Sequence, residues 1–112
     1  MINSRTKGHA YERLLVQEYR KLWFDECITS RAWDRSMDER WVDLLSTEPF
    51  YIQAKNYTNL SCGKCYDILG DMPHETNYNV LHAKIKHKWE MVIMSKEDWY
   101  EIVEILKGNG TI

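Results

Sequence analysis

Apolar side chains recur at steps of three and four residues near the start of the chain, which predicts a helix from Arg5 to Leu22. Ser4 or Thr6 can cap its first turn. The apolar positions define one face for burial: Tyr11, Leu14, Leu15, Tyr19 and Leu22. Glu12 lies beside this face in angle. Its carboxylate can therefore lean over the edge of a sheet, although an ion pair with a surface arginine is the simpler interpretation.

Two later segments follow the same helical period. The first is predicted from Leu60 to Leu69, with Thr58 or Asn59 as its cap and with Gly70 and Pro73 ending it. The second is predicted from Lys96 to Lys107, after Ser95 as cap. Its apolar stripe consists of Trp99, Ile102, Val103 and Leu106.

Strand patterns occupy the middle of the chain. Cys27 to Thr29 is a short β-prone run. Val42 to Leu45 and Phe50 to Lys55 read as a hairpin, because Ser46 to Pro49 between them has turn chemistry. Side chains alternate along a strand, so Phe50, Ile52 and Ala54 should face a core while Tyr51, Gln53 and Lys55 face the other way.

A second pair of strands is predicted further on. Tyr78 to Lys88 alternates in polarity, and one of its two faces is basic, carrying His82, Lys84, Lys86 and Lys88. Trp89 to Met94 is another apolar strand, which makes a second hairpin with the first. The order of elements predicts an α/β fold with a central mixed sheet of four or five strands flanked by helices.

A run of charged residues, Arg31 to Arg40, separates the first predicted strand from the hairpin. It should form a loop or a single helical turn, anchored by Trp33 and Trp41. Two interpretations of the run remain open. It is either a solvated connector, or a segment whose Arg31 and Arg35 face phosphates.

Composition narrows the class of protein. The chain has 112 residues, which suits one domain, and 44% hydrophobic with 29% charged residues is typical of a soluble globular protein. No apolar run approaches the roughly 20 residues that span a bilayer, and the first residues lack the apolar core of a signal peptide. We therefore expect no membrane partner and a cytosolic location.

The net charge of −2 argues against a polybasic coat, but it leaves room for a local basic face. Three cysteines in a reducing compartment should be free thiols. The Cys62-Gly63-Lys64-Cys65 spacing invites a zinc or redox interpretation. However, the chain has no second cysteine pair, and His74 and His82 do not match the spacing of a zinc finger.

Candidate chemistry lies in the first hairpin. If its strands bring Asp43 alongside Gln53 and Lys55, a carboxylate, an amide oxygen and an ammonium group converge. Carboxylate and amide oxygens are hard ligands that suit Mg²⁺, and a neighbouring lysine suits phosphodiester hydrolysis. The alternative is a strand whose polar residues merely reach solvent.

These residues and the order of elements resemble the PD-(D/E)XK nuclease superfamily over roughly residues 4 to 106. Lys7-Gly8-His9-Ala10-Tyr11-Glu12 is similar to the opening helix of these enzymes, Val42-Asp43-Leu44 to their metal-binding aspartate, and Phe50-Tyr51-Ile52-Gln53-Ala54-Lys55 to their catalytic strand. Thr29-Ser30-Arg31 also resembles the small phage and archaeal Holliday-junction resolvase-like members. Gln53 departs from the usual acidic residue, as in the Mrr-like restriction branch.

The resemblance implies a restriction-endonuclease-like core and a Mg²⁺-dependent DNA endonuclease, with Mn²⁺ as a possible substitute. Glu12, Asp43, Gln53 and the Ala54 carbonyl would hold the metal, and Lys55 would orient the attacking water. The implied partners are branched or duplex DNA and a second copy of the chain. A phage-encoded protein of this kind would act in the host cytoplasm. The residues expected to bind DNA are Arg5, Lys7, Arg31, Arg35, Lys84 and Lys86.

Two alternatives stay beside this one. The same fold could serve as a DNA-binding module without catalysis, which would suit Gln53 and the acidic net charge. It could also be an Mrr-like restriction nuclease. A small enzyme that uses Cys62 or His74 is a further possibility, and it would be inactivated by thiol alkylation without depending on metal.

Overall fold

The computed structural model describes residues 4–112, except for the side chains of residues 4 and 5. The proposed Ser4 cap and the Arg5 side chain therefore lie outside the described residues. This part of the chain forms five helices and five strands. They are α1 (Ser4–Lys21), β1 (Ile28–Thr29), α2 (Ser30–Trp33), α3 (Arg35–Glu39), β2 (Leu44–Leu45), β3 (Phe50–Tyr57), α4 (Cys62–Asp71), β4 (Tyr78–Ile85), β5 (Trp89–Ile93) and α5 (Lys96–Gly108).

The five strands form one mixed sheet in the order β1-β2-β3-β4-β5. β1, β2 and β3 are antiparallel neighbours, β3 and β4 are parallel, and β5 returns antiparallel to β4. The parallel pair runs in continuous register from Phe50 opposite Tyr78 to Tyr57 opposite Ile85. A parallel pair needs a crossover, and α4 lies within it. The predicted α/β class and the mixed sheet are confirmed.

One face of the sheet packs against α1. Ile52 and Ala54 of β3 join Tyr11, Leu15 and Val16 of the helix in this core, as predicted for that face of the strand. The predicted apolar face of α1 does not coincide with the face that is buried, however, because Leu14 is 45% exposed and Leu22 is 61% exposed. Glu12 is 8% exposed and belongs to the buried side of α1.

The opposite face packs against α4, where Leu81 and Ala83 of β4 contact Cys65 and Ile68. The predicted cap of this helix was wrong. Ser61 caps it, with its Oγ accepting a hydrogen bond from the Lys64 N–H at 3.1 Å. The Ser95 cap of α5 is confirmed, since its Oγ accepts from the Asp98 N–H at 3.1 Å.

The basic strand predicted through Lys88 is shorter than expected. β4 ends at Ile85, and residues 86–88 form the turn of the β4–β5 hairpin. His82 is not part of an open basic surface, because its Nε2 is 2.6 Å from the Tyr19 hydroxyl of α1 and burial lowers the pKa of its imidazole. Lys86 and Lys88 are exposed in this turn.

The charged run forms two short helices, α2 and α3, rather than a loop or one helical turn. Asp34 separates them and caps α3, with its carboxylate accepting from the backbone N–H groups of Ser36 and Met37. Trp33 is 74% exposed, so its predicted role as an anchor is wrong, whereas Trp41 is 50% exposed and its backbone N–H donates to the Asp38 carbonyl at 3.1 Å. The segment is also held by the backbone N–H of Ser30, which donates to the Asp43 carbonyl at 2.8 Å.

The far end of the chain is sparsely packed. α5 buries none of its residues fully, and Trp99, Tyr100 and Ile105 are each about half exposed. The molecule is elongated, with extents of 50 × 31 × 25 Å. Within the described part of the chain, none of the helices has the length and apolar character that crossing a bilayer requires.

Candidate active site

Asp43 sits just before β2, where the short strand stops pairing with β3. Its backbone N–H donates to the Ile52 carbonyl at 2.8 Å, and its Oδ2 accepts from the Ala54 N–H at 2.8 Å. The carboxylate thus takes the place of a backbone acceptor at the end of the ladder. In a strand the N–H and the C=O of one residue point to the same side, so the Ala54 carbonyl also faces Asp43.

Glu12 approaches the same place from α1. Its Oε1 is buried and makes no hydrogen bond, and Arg31 Nη1 lies 3.6 Å away as an ion-pair partner. A buried carboxylate oxygen without a hydrogen bond is costly and points to a missing partner. Both interpretations made from the sequence therefore apply, because Glu12 reaches the sheet edge and also pairs with an arginine.

The two carboxylates resist ionisation. Burial and, after it, the nearby Asp43 raise the pKa of Glu12 to about 7, against the opposing effect of Arg31. Burial likewise raises the pKa of Asp43 to about 6, although the Ala54 N–H and Lys55 favour its charged form. A cation bound between two such carboxylates would stabilise the charged form of both, so this sheet edge is a candidate cation site.

Gln53 and Lys55 extend from the opposite face of β3. Gln53 is 3% exposed, and its amide has good hydrogen bonds in one orientation, in which Nε2 donates to the Trp41 carbonyl and Oε1 accepts from Lys55 Nζ at 3.2 Å. The lysine ammonium also lies 5.6 Å from the ring centroid of Trp41 and 5.8 Å from that of Tyr57. The prediction that Gln53 and Lys55 share a face is confirmed.

Trp41 is a contributor that the sequence did not reveal. It adopts φ 66°, which is unusual for a large side chain, and this backbone turn supports both its carbonyl contact to Gln53 and its ring contact to Lys55. Asp38 was also missed. It raises the pKa of both Glu12 and Asp43, and its Oδ1 is 3.5 Å from Ser30 Oγ. Nothing in the charged run distinguished Asp38 from its solvated neighbours.

The oxygen atoms at this edge fit a hard divalent cation in kind. Two carboxylates and a backbone carbonyl are ligands that Mg²⁺ and Mn²⁺ accept, and the buried Glu12 oxygen has no hydrogen bond to lose. The set has few charged ligands. Among residues 4–112, no group of three or more His, Cys, Asp or Glu side chains is placed so that it could hold a metal ion. Gln53 would have to release its oxygen from Lys55 to serve as a ligand.

The residues expected to bind DNA are dispersed. Lys7 lines a groove at the end of β3, Arg31 is committed to Glu12, and Arg35 is exposed on α3. Lys84 is half-buried, with its Nζ 5.8 Å from the Tyr11 ring centroid, and Lys86 is exposed in the hairpin turn. The expected residue Arg5 lies outside the described side chains.

The cysteine pair lies on α4, where Cys62 is exposed and Cys65 is buried, and all three cysteines are free. Burial raises the pKa of the Cys65 thiol, which disfavours the thiolate that redox chemistry or zinc binding needs.

Comparisons with protein-family models, with curated proteins and with solved structures each found no match to this chain.

Proposed function

We propose that the chain is a metal-dependent endodeoxyribonuclease, similar in its selectivity to Holliday-junction resolvases. The observation that carries the proposal is that two buried carboxylates, Glu12 and Asp43, lie close enough for Asp43 to raise the pKa of Glu12, while the Lys55 ammonium favours the charged form of Asp43. Burying two carboxylates near each other is costly, and a bound cation would offset that cost.

Each residue has a distinct role in the proposed reaction. Glu12, Asp43, the Ala54 carbonyl and Gln53 would hold one or two Mg²⁺ or Mn²⁺ ions, which lower the pKa of bound water and offset phosphate charge. Asp43 is fixed in place by the Ala54 N–H. Lys55, held by Gln53 and Trp41, can donate hydrogen bonds to the attacking water or to the phosphate as charge develops on it.

The fold supports this assignment. Three antiparallel strands followed by a helical crossover to a parallel strand would form a restriction-endonuclease-like core. The candidate residues lie on its helix α1, on strand β3 and just before strand β2. The Gln53-x-Lys55 arrangement also agrees with an Mrr-like restriction nuclease. The choice of substrate structure separates these two enzymes.

The proposed enzyme acts as a homodimer, because resolving a four-way junction requires cuts in two strands. The half-exposed apolar residues of β5 and α5 offer a surface for the second copy. α5 carries Glu97 and Asp98 in its first turn and Lys107 in its last turn. Two copies of α5 packed antiparallel about a two-fold axis would therefore place opposite charges together at both ends.

A cleavage assay tests the proposed function directly. Four-way junction, duplex and flap DNA are incubated in parallel with the protein and Mg²⁺, with and without excess chelator. We expect cleavage of the junction that requires metal and that is abolished by Asp43→Ala and by Lys55→Ala. A Cys62→Ser, Cys65→Ser double variant is the control and should cleave at the wild-type rate. Cleavage that persists fully in chelator would exclude the metal mechanism.

A DNA-binding module without catalysis is the second candidate. It is favoured by the neutral Gln53 amide, whose oxygen is already engaged by Lys55, and by the lack of a three-acid cluster among residues 4–112. Such a protein would bind DNA in chelator and would cleave none of the three substrates.

A further inference from the structure

A groove of about 840 Å³ opens at the end of β3, between the start of α1, the start of α4 and the β4–β5 turn. Three lysines line it, one from each of these elements: Lys7, Lys64 and Lys88. Its volume is in the range of sites that hold an organic ligand. None of these elements is close to the others in sequence, so the groove could not be predicted from local motifs.

The charge of the groove differs from that of the molecule. The chain carries a net charge of −2, yet no acidic residue is among those that line the groove in the described part of the chain. Like charges brought together without a counter-charge repel one another. A lysine cluster of this kind therefore favours an anionic ligand, and a series of phosphates suits the distribution of the lysines over three elements.

Aromatic side chains accompany the lysines. Trp89 is 37% exposed and Tyr57 is half-buried, and both line the groove. Asn56 also lines it, and its Oδ1 is buried with no hydrogen-bond partner. Exposed aromatic faces can stack on bases only when those bases are unpaired, and an unsatisfied amide oxygen can accept a hydrogen bond from a base edge.

The groove borders the candidate active site at Tyr57. The Tyr57 ring, which forms part of its wall, has its centroid 5.8 Å from Lys55 Nζ. We propose that this groove binds a single-stranded segment of the nucleic acid, with its phosphates on Lys7, Lys64 and Lys88 and its bases against Trp89 and Tyr57. The inference rests on the proposed function, and it defines the substrate class as DNA that has unpaired nucleotides beside the cleavage position.

Binding measured without metal separates this inference from the proposed cleavage. The probe is a labelled oligothymidylate of about 12 nucleotides, a length within the usual range of single-strand binding sites. Fluorescence anisotropy in excess chelator compares it with a blunt duplex of the same length. We expect the single strand to bind more tightly, and Trp89→Ala to weaken its binding by about tenfold, as loss of one stacked base does.

A lysine variant tests the phosphate contacts. A Lys64→Ala, Lys88→Ala double variant should weaken single-strand binding and should flatten its salt dependence by about 0.7 per lysine in the slope of log K against log salt. Lys21→Ala, which removes an exposed lysine from the last turn of α1, is the matched control and should leave both quantities unchanged. Circular dichroism confirms the fold of each variant.

The outcomes for binding and for cleavage are independent. Loss of binding in the groove variants supports the groove even if the wild-type protein never cleaves DNA. Equal affinity for duplex and single strand, or unchanged binding in both groove variants, would overturn it even if the protein proves to be a metal-dependent nuclease.

Discussion

Gln53 is the residue at which the proposed enzyme departs most from an all-carboxylate metal site. An amide oxygen lacks the charge that attracts Mg²⁺, so half-maximal cleavage should need more metal in the wild-type protein than in a Gln53→Glu variant. Gln53→Ala removes the ligand atom and frees Lys55 from its 3.2 Å contact, so it should lose most activity at every metal concentration. Cleavage rates over a Mg²⁺ titration measure both effects.

The Gln53 series also separates the two candidate functions. If Gln53→Ala cleaves as well as wild type, Gln53 is not a ligand. If the wild-type protein is inert and only Gln53→Glu cleaves, the natural protein is a binding module on a nuclease fold.

Glu12 should make stability depend on pH in a particular direction. Its pKa is about 7 in the fold and 4.5 when unperturbed, so the folded state binds more protons than the unfolded chain between these values. The free energy of unfolding therefore falls as pH rises from about 4.5 to about 7. Glu12→Gln removes this contribution. The difference in free energy of unfolding between the variant and wild type should therefore rise in favour of the variant by about 2–3 kcal/mol from about pH 4 to pH 8.

Urea unfolding at both pH values measures this gain. Glu48→Gln, in the exposed turn before β3, is the matched control and should follow the wild-type pH dependence. A Glu12→Gln variant that does the same would show that Glu12 ionises normally.

The raised pKa values of Glu12 and Asp43, about 7 and about 6, also predict how metal binding varies with pH. Protons compete with Mg²⁺ for carboxylates, so Mg²⁺ should raise the melting temperature more at about pH 8 than at about pH 6. Asp43→Asn keeps an acceptor for the Ala54 N–H but loses the charge, and it should abolish the shift. Scanning fluorimetry over a Mg²⁺ series measures it, and an equal shift in Asp43→Asn would exclude Asp43 as a ligand.

Sequence reasoning reached the site residues unevenly. Gln53 and Lys55 could be paired because strand alternation puts residues two apart on one face. Trp41 could not be assigned, since a positive φ at a large side chain has no signal in the sequence. Asp38 stayed hidden because its effect on Glu12 and Asp43 depends on how α3 folds back, which charge spacing does not encode.

At the scale of elements, α1 carries Glu12 to the sheet, and its packing decides whether the site forms. Leu15 is fully buried in the core that α1 shares with β3, whereas Leu14, one position earlier, is 45% exposed. Leu15→Ala should lower the free energy of unfolding by about 2–5 kcal/mol, because it leaves a cavity under the helix. Leu14→Ala is the matched control and should cost less than about 1 kcal/mol. Similar costs for both, measured by urea unfolding, would mean that the helix presents a different face.

This comparison shows why the helix was predicted better than its orientation. Apolar spacing gives the period of α1 but admits several adjacent stripes, and a polar Glu12 on the buried side obscures the true one. The strands were better determined, because alternation assigns each residue to one of only two faces: Ile52 and Ala54 lie in the core under α1, and Leu81 and Ala83 lie in the core under α4. β4 ends at the turn formed by residues 86–88. The alternating pattern continues through that turn, so it predicted a strand that was too long.

At the scale of the whole molecule, the candidate site, the lysine groove and the apolar end lie in different regions. The groove draws on α1, α4 and the β4–β5 turn, and the half-exposed apolar residues Trp99, Tyr100 and Ile105 lie on α5. Among residues 4–112, folding thus leaves a basic surface and an apolar surface without a partner. The basic surface suits the substrate, and the apolar surface suits a second copy of the chain.

The proposed dimer predicts that the wild-type protein has twice the monomer mass at micromolar concentration. Ile105→Glu puts a charge on the half-exposed apolar surface of α5, and it should raise the dimer dissociation constant at least about tenfold, or about 1.4 kcal/mol. Leu22→Glu, at an exposed apolar position beyond α1, is the matched control and should leave the dimer intact. Sedimentation velocity over a concentration series measures all three proteins.

Lys107→Glu should weaken the dimer as well, and Glu97→Lys in the same chain should restore it, because antiparallel copies of α5 exchange these end charges. A wild-type monomer, or a dimer that Ile105→Glu leaves unchanged, would exclude α5 as the interface.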